Sequence, residues 1–235
     1  MAYEFWYWDG IPGRGEFVRL ALEAGAIPYR ECAREGWADE ETLPGDMGGD
    51  RLDPPFAPPY LVADGMTIAQ TANILHFLGQ RHGLAPADDA GRFWVAQLQL
   101  TIADMVAEAH DVHHPVDVGA YYEDQKAEAA RRARSFREDR IPKFLGYFER
   151  ALDARGTWLA GDRWSYADLS LFQLVEGLRF AFPHRMKTVE RGCHGVVGLR
   201  DRVADLPDLA DYLASDRRLP FGDGIFRNYP ELDAA

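Results

Sequence analysis

The feature that most constrains this chain is a change of pattern near residue 86. Before it, strand and turn signals alternate with helical ones; beyond it the strand signals stop. Tyr3-Glu4-Phe5-Trp6-Tyr7-Trp8 is aromatic and reads as a strand, because large flat side chains pack well on a pleated surface. Asp9-Gly10-Ile11-Pro12-Gly13 breaks it as a loop. Phe17, Leu20, Ala21 and Ala24 recur at i, i+3, i+4 and i+7, which predicts an amphipathic helix that Gly25 stops. Tyr29 to Ala33 predicts a short second strand, and Gly36 to Pro59, rich in Asp, Gly and Pro, an irregular stretch with a helical turn at most. Tyr60 to Ala63, the Asp64-Gly65 turn and Met66-Thr67-Ile68 predict a hairpin. Ile74, Phe77 and Leu78 mark a helix that ends near Gly83. One small mixed sheet with helices satisfies that order.

Past Pro86, Trp94, Leu98, Ile102, Met105 and Ala109 share one helical face, and Pro115 is expected to end that helix. Ile141, Phe144, Leu145, Phe148 and Leu152 mark another, entered or kinked at Pro142. Asp168 to Phe182 is apolar on almost every side, with Glu176 and Arg179 its only later charges, so it belongs at the centre of a bundle. The reading is an α+β, two-domain chain: a small mixed sheet with helices over 1–83, a linker over 84–90 and an all-helical region over 91–235.

Charge narrows the function. Lys plus Arg number 26 against 38 Asp plus Glu, a formal net charge of −12. A nucleic-acid binder or a surface that clings to anionic lipid needs surplus cations, so both are excluded as expectations. No stretch approaches the apolar length of a membrane span, and Met1 to Trp8 has an acid and no basic cluster, unlike a secretory signal. Cys32 and Cys193 are far apart, form no disulfide framework and read as small buried residues of a protein in a reducing cytoplasm.

Three constellations stand out. Ser165-Tyr166-Ala167-Asp168 has capping-box spacing just before the apolar helix, with Trp164 and Leu169 placed as a hydrophobic staple; its role is structural. Pro58-Pro59-Tyr60-Leu61 and Gln70-Thr71-Ala72-Asn73-Ile74 put an exposed strand edge beside a helix start bearing an amide and a hydroxyl. Free N–H groups there attract a carboxylate, and a free edge accepts an extended chain, so a small anionic peptide suits both. His110, His113 and His114 fall at i, i+3 and i+4 with Asp111 close by, a spacing open to metal binding, to lining a substrate pocket or to plain surface exposure.

In this order the motifs resemble the cytosolic glutathione transferases of tyrosine type, akin to the alpha, mu, pi and sigma classes, along nearly the whole chain. Four pieces carry the resemblance: Tyr7-Trp8-Asp9 with Arg14-Gly15-Glu16 after it, Pro58-Pro59-Tyr60-Leu61, the Gln70–Ile74 helix start and the Ser165–Asp168 cap. The resemblance implies a thioredoxin-like N-terminal domain, an all-helical C-terminal domain, a homodimer, glutathione as co-substrate and no metal. It implies that Tyr7 donates a hydrogen bond to the glutathione sulfur, favouring the nucleophilic thiolate, with Arg14 close by. Read alone, Tyr7 is a half-buried strand residue and Arg14 a surface charge. Pro59 matches the family's cis-proline, and its predecessor pairs with the cysteinyl backbone; here that predecessor is Pro58, which has no N–H, so one hydrogen bond is lost. Gln70 and Thr71 match the pair that holds the γ-glutamyl group. Asp104, otherwise a solvated charge, resembles an acid lent across the dimer to the γ-glutamyl ammonium, and Trp37 matches a tryptophan near the glycyl end. Phe56 is similar to a phenylalanine that wedges into the partner subunit in some classes, with spacing one residue short.

The second substrate would meet the sulfur between the domains, beside Ile11, Pro12, Met105, His110 and Phe221, with Phe226 and Tyr229 nearby. Their apolar and aromatic character predicts a hydrophobic electrophile and a role in detoxification. The alternative is a protein of the same fold that binds glutathione or hydrophobic ligands with little turnover.

Overall fold

The N-terminal aromatic run forms strand β1 (Tyr3–Trp6) in the computed structural model, which describes residues 2–39, 42–49 and 51–234. Met1 of the N-terminal reading, and Glu40, Glu41 and Asp50 of the irregular stretch, lie outside the described residues, as does Ala235. Helix α1 (Gly15–Ala24) follows and gives way at Gly25, whose N–H still reaches Ala21 O at 3.1 Å. Then come β2 (Tyr29–Glu31), α2 (Leu43–Gly48), β3 (Tyr60–Ala63), β4 (Met66–Ala69) and α3 (Thr71–His82), the last ended by Gly83 in left-handed conformation. The sheet order is β2-β1-β3-β4, with β1 parallel to β2 and antiparallel to β3. The β3–β4 hairpin pairs Ala63 with Met66 across Asp64-Gly65, where both turn residues have positive φ.

The two-residue period of β1 sorts its aromatics between two cores. Tyr3, Phe5 and Tyr7 face α1, α3 and the main core, while Trp6 joins Cys32, Leu43 and Tyr60 in a smaller cluster on the other face. A strand covered on both sides needs no strict polar alternation, which is why aromatic residues stand on both faces of this one.

The rest is helical. Helix α4 (Asp89–Asp111) opens on an Asp88 cap that accepts the Gly91 N–H at 2.9 Å. Helices α5 (Lys126–Ser135) and α6 (Ile141–Arg155) are joined by a widened, π-type turn over Phe136–Arg140. Pro142 explains the turn: it offers no N–H to the carbonyl four residues back and its ring displaces that carbonyl. Helix α7 (Tyr166–Ala181) is the buried centre, and α8 (Pro183–Val189), α9 (His194–Ala204), α10 (Pro207–Leu213) and α11 (Pro230–Asp233) surround it. No helix of the described residues is long and apolar enough to cross a membrane.

The cap of α7 is a capping box. Asp168, fully buried, accepts the Ser165 N–H, the Ser165 hydroxyl and the Leu159 N–H, each at 2.8 Å. Burial pushes its carboxyl up to about 6 against those donors, which pull it down. Trp164 and Leu169 pack on the same core, as a staple requires. Beside the cap, the Tyr166 N–H reaches Leu84 O at 2.9 Å, so the connection between the two regions is pinned to the start of the central helix.

One expectation needs correcting. Helix α4 gives out at Asp111, well before Pro115, through tight turns in which the Val112 and His113 N–H groups reach Ala109 O and His110 O. The cause is tertiary: His113 turns inward, and its Nε2 lies 3.0 Å from Ile225 O of the returning tail. The three histidines therefore do not share one helical face.

Candidate functional site

Tyr7 follows β1 directly and is buried, with the Gly13-Arg14-Gly15 turn wrapped on its ring. Its hydroxyl oxygen accepts the Arg14 N–H at 2.8 Å. Among the described residues its own proton has no acceptor, so the phenol remains a donor. Burial pushes the phenol above its ordinary range, while the Arg14 N–H, the Arg14 and Arg19 guanidinium groups and the Gly15 N–H pull the other way. The outcome suits donation, because the group stays protonated at neutral pH yet sits in a positive field. Gly13 and Gly15 are what allow this packing. A Cβ on Gly15 would fall 2.5 Å from Tyr7 Cδ1, and Gly13 also holds φ at +41°.

The helix start predicted from Gln70 and Thr71 is present and strained. Gln70 precedes α3 at φ 70° and ψ 121°, a conformation that a residue with a Cβ adopts only when its surroundings enforce it. Thr71 Oγ1 is buried and, among the described residues, has no hydrogen-bond partner. Both residues and Arg14 line a cavity of about 510 Å³ between α3, α4 and α1, whose wall is otherwise mostly apolar, with Phe93 and Leu100 exposed at its mouth. The structure thus brings Arg14, Gln70 and Thr71 together.

Other predicted residues sit elsewhere. The Pro58–Pro59 peptide is cis. Trp37 stands on the α2 side of the sheet, edge-on to Trp6 with the Arg30 guanidinium 4.2 Å from its ring centroid, and it does not line the cavity. Asp104 is exposed on α4. Of the expected pocket residues, Met105 is fully enclosed in the core, since the α4 face it shares with Ile102 and Val106 packs inward. Ile11 and Phe221 are half-buried against the core, and Pro12 is buried. Pro12 lends its carbonyl to the Glu16 N–H at 2.9 Å, starting α1.

His110 is half-buried and near enough to Arg14 to feel its charge; burial first, then Arg14, hold it down to about 4. Burial holds His113 down to about 3. The rings of His110, His113 and His114 lie 4.7–5.1 Å apart, packed as neutral rings. Among the described residues no group of three His, Cys, Asp or Glu is arranged to hold a metal. The tail crosses beside this cluster. A Cβ on Gly224 would meet Ile11 Cδ1 at 3.7 Å and the Gly13 Cα at 3.9 Å, and Tyr229 stacks on Tyr122 at 3.8 Å.

Sequence reasoning missed two polar residues. Gln99 of α4 is buried, lines the cavity with Gln70 and Thr71, and its Oε1 has no partner among the described residues. Nothing in the sequence marks it beyond a polar residue beside Leu98 on the helix's core-facing side. Arg19 is fully buried in α1 beneath Tyr7, one turn from Glu16; a charged pair at i, i+3 on an otherwise apolar helix face was the available signal.

A thioredoxin-like mixed sheet precedes a helical bundle, with a tyrosine directly after the first strand and a strained Gln-Thr helix start. Residues 110–216 match the family model described as glutathione S-transferase, C-terminal domain. Glutathione S-transferase A4 of Bos taurus is 29% identical over 91% of this chain and 90% of its own length. Glutathione S-transferase of Plasmodium yoelii yoelii is 22% identical over 86% and 89%. Among solved structures, prostaglandin synthase D of Nilaparvata lugens superposes with a TM-score of 0.72 at 18% identity, covering 94% of this chain and 100% of that one. The Pi-class glutathione S-transferase of Onchocerca volvulus gives 0.70 at 20%, covering 91% and 92%. Over nearly its whole length the chain is similar to the cytosolic glutathione transferases, and these matches support glutathione S-transferase activity in general terms.

Proposed function

We propose that this chain activates the glutathione thiol through Tyr7 and directs the thiolate onto a hydrophobic electrophile. The observation that carries the reading is the Tyr7 phenol: its oxygen is already fixed by the Arg14 N–H at 2.8 Å, and its proton is free to be donated. A donor held in place costs no reorganisation when the thiolate forms. Lowering a bound thiol by two pKa units takes about 2.7 kcal/mol, within reach of one strong hydrogen bond and the Arg14 charge together. The thiol proton passes to solvent, the sulfur forms a bond to the electrophilic carbon, and the leaving group departs with its electron pair. No covalent enzyme intermediate is needed, and proximity supplies the rest.

In this reading the roles are as follows. Gln70 and Thr71 hold the γ-glutamyl group, and Thr71 Oγ1, buried without a partner among the described residues, is suited to it. Pro58 accepts the cysteinyl N–H through its carbonyl alone. Asp104, exposed on α4, serves the active site of a second copy in a homodimer, with Phe56, almost fully exposed, reaching toward that copy. Trp37 belongs to the glycyl end. Ile11, Pro12, His110 and Phe221 form the surroundings of the electrophile. The glutathione-binding domain spans 1–83, the linker 84–90 and the helical domain 91–235. The setting is cytoplasmic and the role detoxification.

The test is the absorbance of the glutathione thiolate bound to the protein, titrated against pH, with Tyr7→Phe alongside. The expected result is ionisation well below the free thiol's range, largely reversed by Tyr7→Phe. Binding without any shift would instead make this a carrier of glutathione.

A further inference from the structure

Beneath the Tyr7 ring lies a charge that the mechanism so far leaves unused. Arg19 is completely buried, yet every side of its guanidinium is engaged. Nε and Nη2 grip the Glu31 carboxylate at 2.5 and 3.2 Å, and Nη1 donates to Pro12 O at 3.4 Å and lies 3.5 Å from Glu16 Oε2. Its central carbon is 5.2 Å from the Phe5 ring centroid and 5.7 Å from that of Tyr7. Behind it, the Glu16 carboxylate is held from the helical region by the Tyr212 hydroxyl at 2.7 Å and by Arg218 at 2.5 Å. Arg34 approaches Glu31 at 3.9 Å from the outer side.

Burying a guanidinium is expensive unless it is paired, and pairs of this kind contribute little net stability. Here the arrangement does something specific. The Pro12 carbonyl belongs to the turn that delivers the Arg14 N–H to the Tyr7 hydroxyl, so Arg19 ties that turn to the body of α1. The cation also faces the π-cloud of the ring whose oxygen donates the hydrogen bond. A cation over an aromatic face in a dry site interacts strongly, and it draws electron density from the phenol, strengthening the O–H as a donor. The charged groups around Tyr7 point the same way: Arg14 and Arg19 act on it, whereas Glu16 and Glu31 are turned toward Arg19, Arg218 and Tyr212.

We infer that Arg19 is a positioning residue for Tyr7, fixing the Pro12–Arg14 turn and strengthening the phenol as a hydrogen-bond donor, with Glu31 moderating its charge. The inference rests on Tyr7 being the group that stabilises the thiolate.

The experiment measures the titration midpoint of the thiol of glutathione bound to the full-length protein. Arg19→Lys keeps the charge but loses the fork that spans Glu31 and Pro12 O; the expected result is a midpoint higher by about one pH unit, a tenfold loss of thiolate. In a Tyr7→Phe background the same substitution leaves the midpoint where Tyr7→Phe alone puts it. Glu31→Gln keeps a hydrogen-bond acceptor and removes the opposing charge, so it moves the midpoint down, a sign that a packing role does not produce. Circular dichroism and glutathione binding establish that each variant is folded. Should Arg19→Lys fail to fold, Glu31→Gln decides alone: an unchanged or raised midpoint overturns the inference. If Tyr7→Phe itself leaves the midpoint unmoved, the reading of Tyr7 fails first; if Tyr7→Phe moves it and neither Arg19→Lys nor Glu31→Gln does, only the role of Arg19 is lost.

Discussion

A Cβ built on Gly13 would lie 2.0 Å from the hydroxyl oxygen of Tyr7. No side chain of any size fits there, so the turn and the phenol exclude every residue but glycine at this position. Gly13→Ala is expected to cost about 2 kcal/mol or more through the clash and the positive φ. It should also lower kcat/KM at least tenfold by displacing the phenol. Deleting the hydroxyl relieves the closest contact, so adding Tyr7→Phe should recover part of the lost stability and none of the activity. Urea unfolding of the two single variants and the double variant checks this; additive losses of stability would mean that the two residues do not collide.

Pro58 removes a donor from the edge that meets the peptide ligand. Pro58→Ala restores an N–H at that position, worth about 0.5–1.5 kcal/mol if the cysteinyl carbonyl uses it. Glutathione should then bind about two- to tenfold more tightly by isothermal calorimetry. An unchanged Kd would show that the edge pairs differently here.

Asp104 is expected to affect binding and spare the chemistry. Asp104→Asn should raise KM for glutathione severalfold while the thiol midpoint stays with the wild type. Because the acid is assigned to a second copy, dilution into the monomer should raise KM of the native protein and leave that of the variant unchanged. Steady-state kinetics across protein concentration, paired with light scattering, would reveal a concentration-independent KM and so refute the assignment.

His113 makes the fold acid-sensitive with a defined sign. Its folded pKa of about 3 lies below the ordinary 6.5, because burial beside the tail disfavours the cation. The contribution is fully present above pH 6.5 and is lost as pH falls toward 3, at about 1.4 kcal/mol per pH unit for one proton taken up on unfolding. His113→Gln should flatten the difference in unfolding free energy between pH 6.5 and 4.5. Asp168 titrates in the opposite sense, its share disappearing as pH rises through about 6, and it cancels when the two proteins are compared. Parallel slopes for wild type and variant would rule His113 out.

The α7 cap offers a test of stability free of catalysis. Asp168→Ala leaves the buried N–H groups of Ser165 and Leu159 without their acceptor. Each such orphan costs about 1–3 kcal/mol, so a loss of about 3 kcal/mol or more is expected. A shift of less than 1 kcal/mol in chemical denaturation would show that water replaces the carboxylate.

Much of the fold could be read from the chain because local signals agreed with the tertiary outcome. The β1 aromatics, the Asp64-Gly65 turn, Gly83 and the Ser165–Asp168 box each fix their element through neighbours in sequence. The site was less legible where long-range contacts decide. The Ile225 carbonyl shortens α4 and turns His113 inward from the far end of the chain. The resemblance implies Met105 as a pocket residue, but which part of α4 is covered depends on α7 and α3, which pack against it and which no local pattern states. Arg19 and Gln99 were missed for the same reason: a buried polar group announces itself only once its surroundings are assembled.

Glu16 is in the first turn of α1, and the groups that satisfy it, Tyr212 and Arg218, come from the last third of the chain. A chimera spliced within residues 84–90 would therefore inherit half of an ionic lock. Exchanging the helical half between relatives should yield a folded hybrid only where the donor brings a phenol and a guanidinium to meet that carboxylate. Shuffling libraries built on this chain would select for that trio as a single heritable unit.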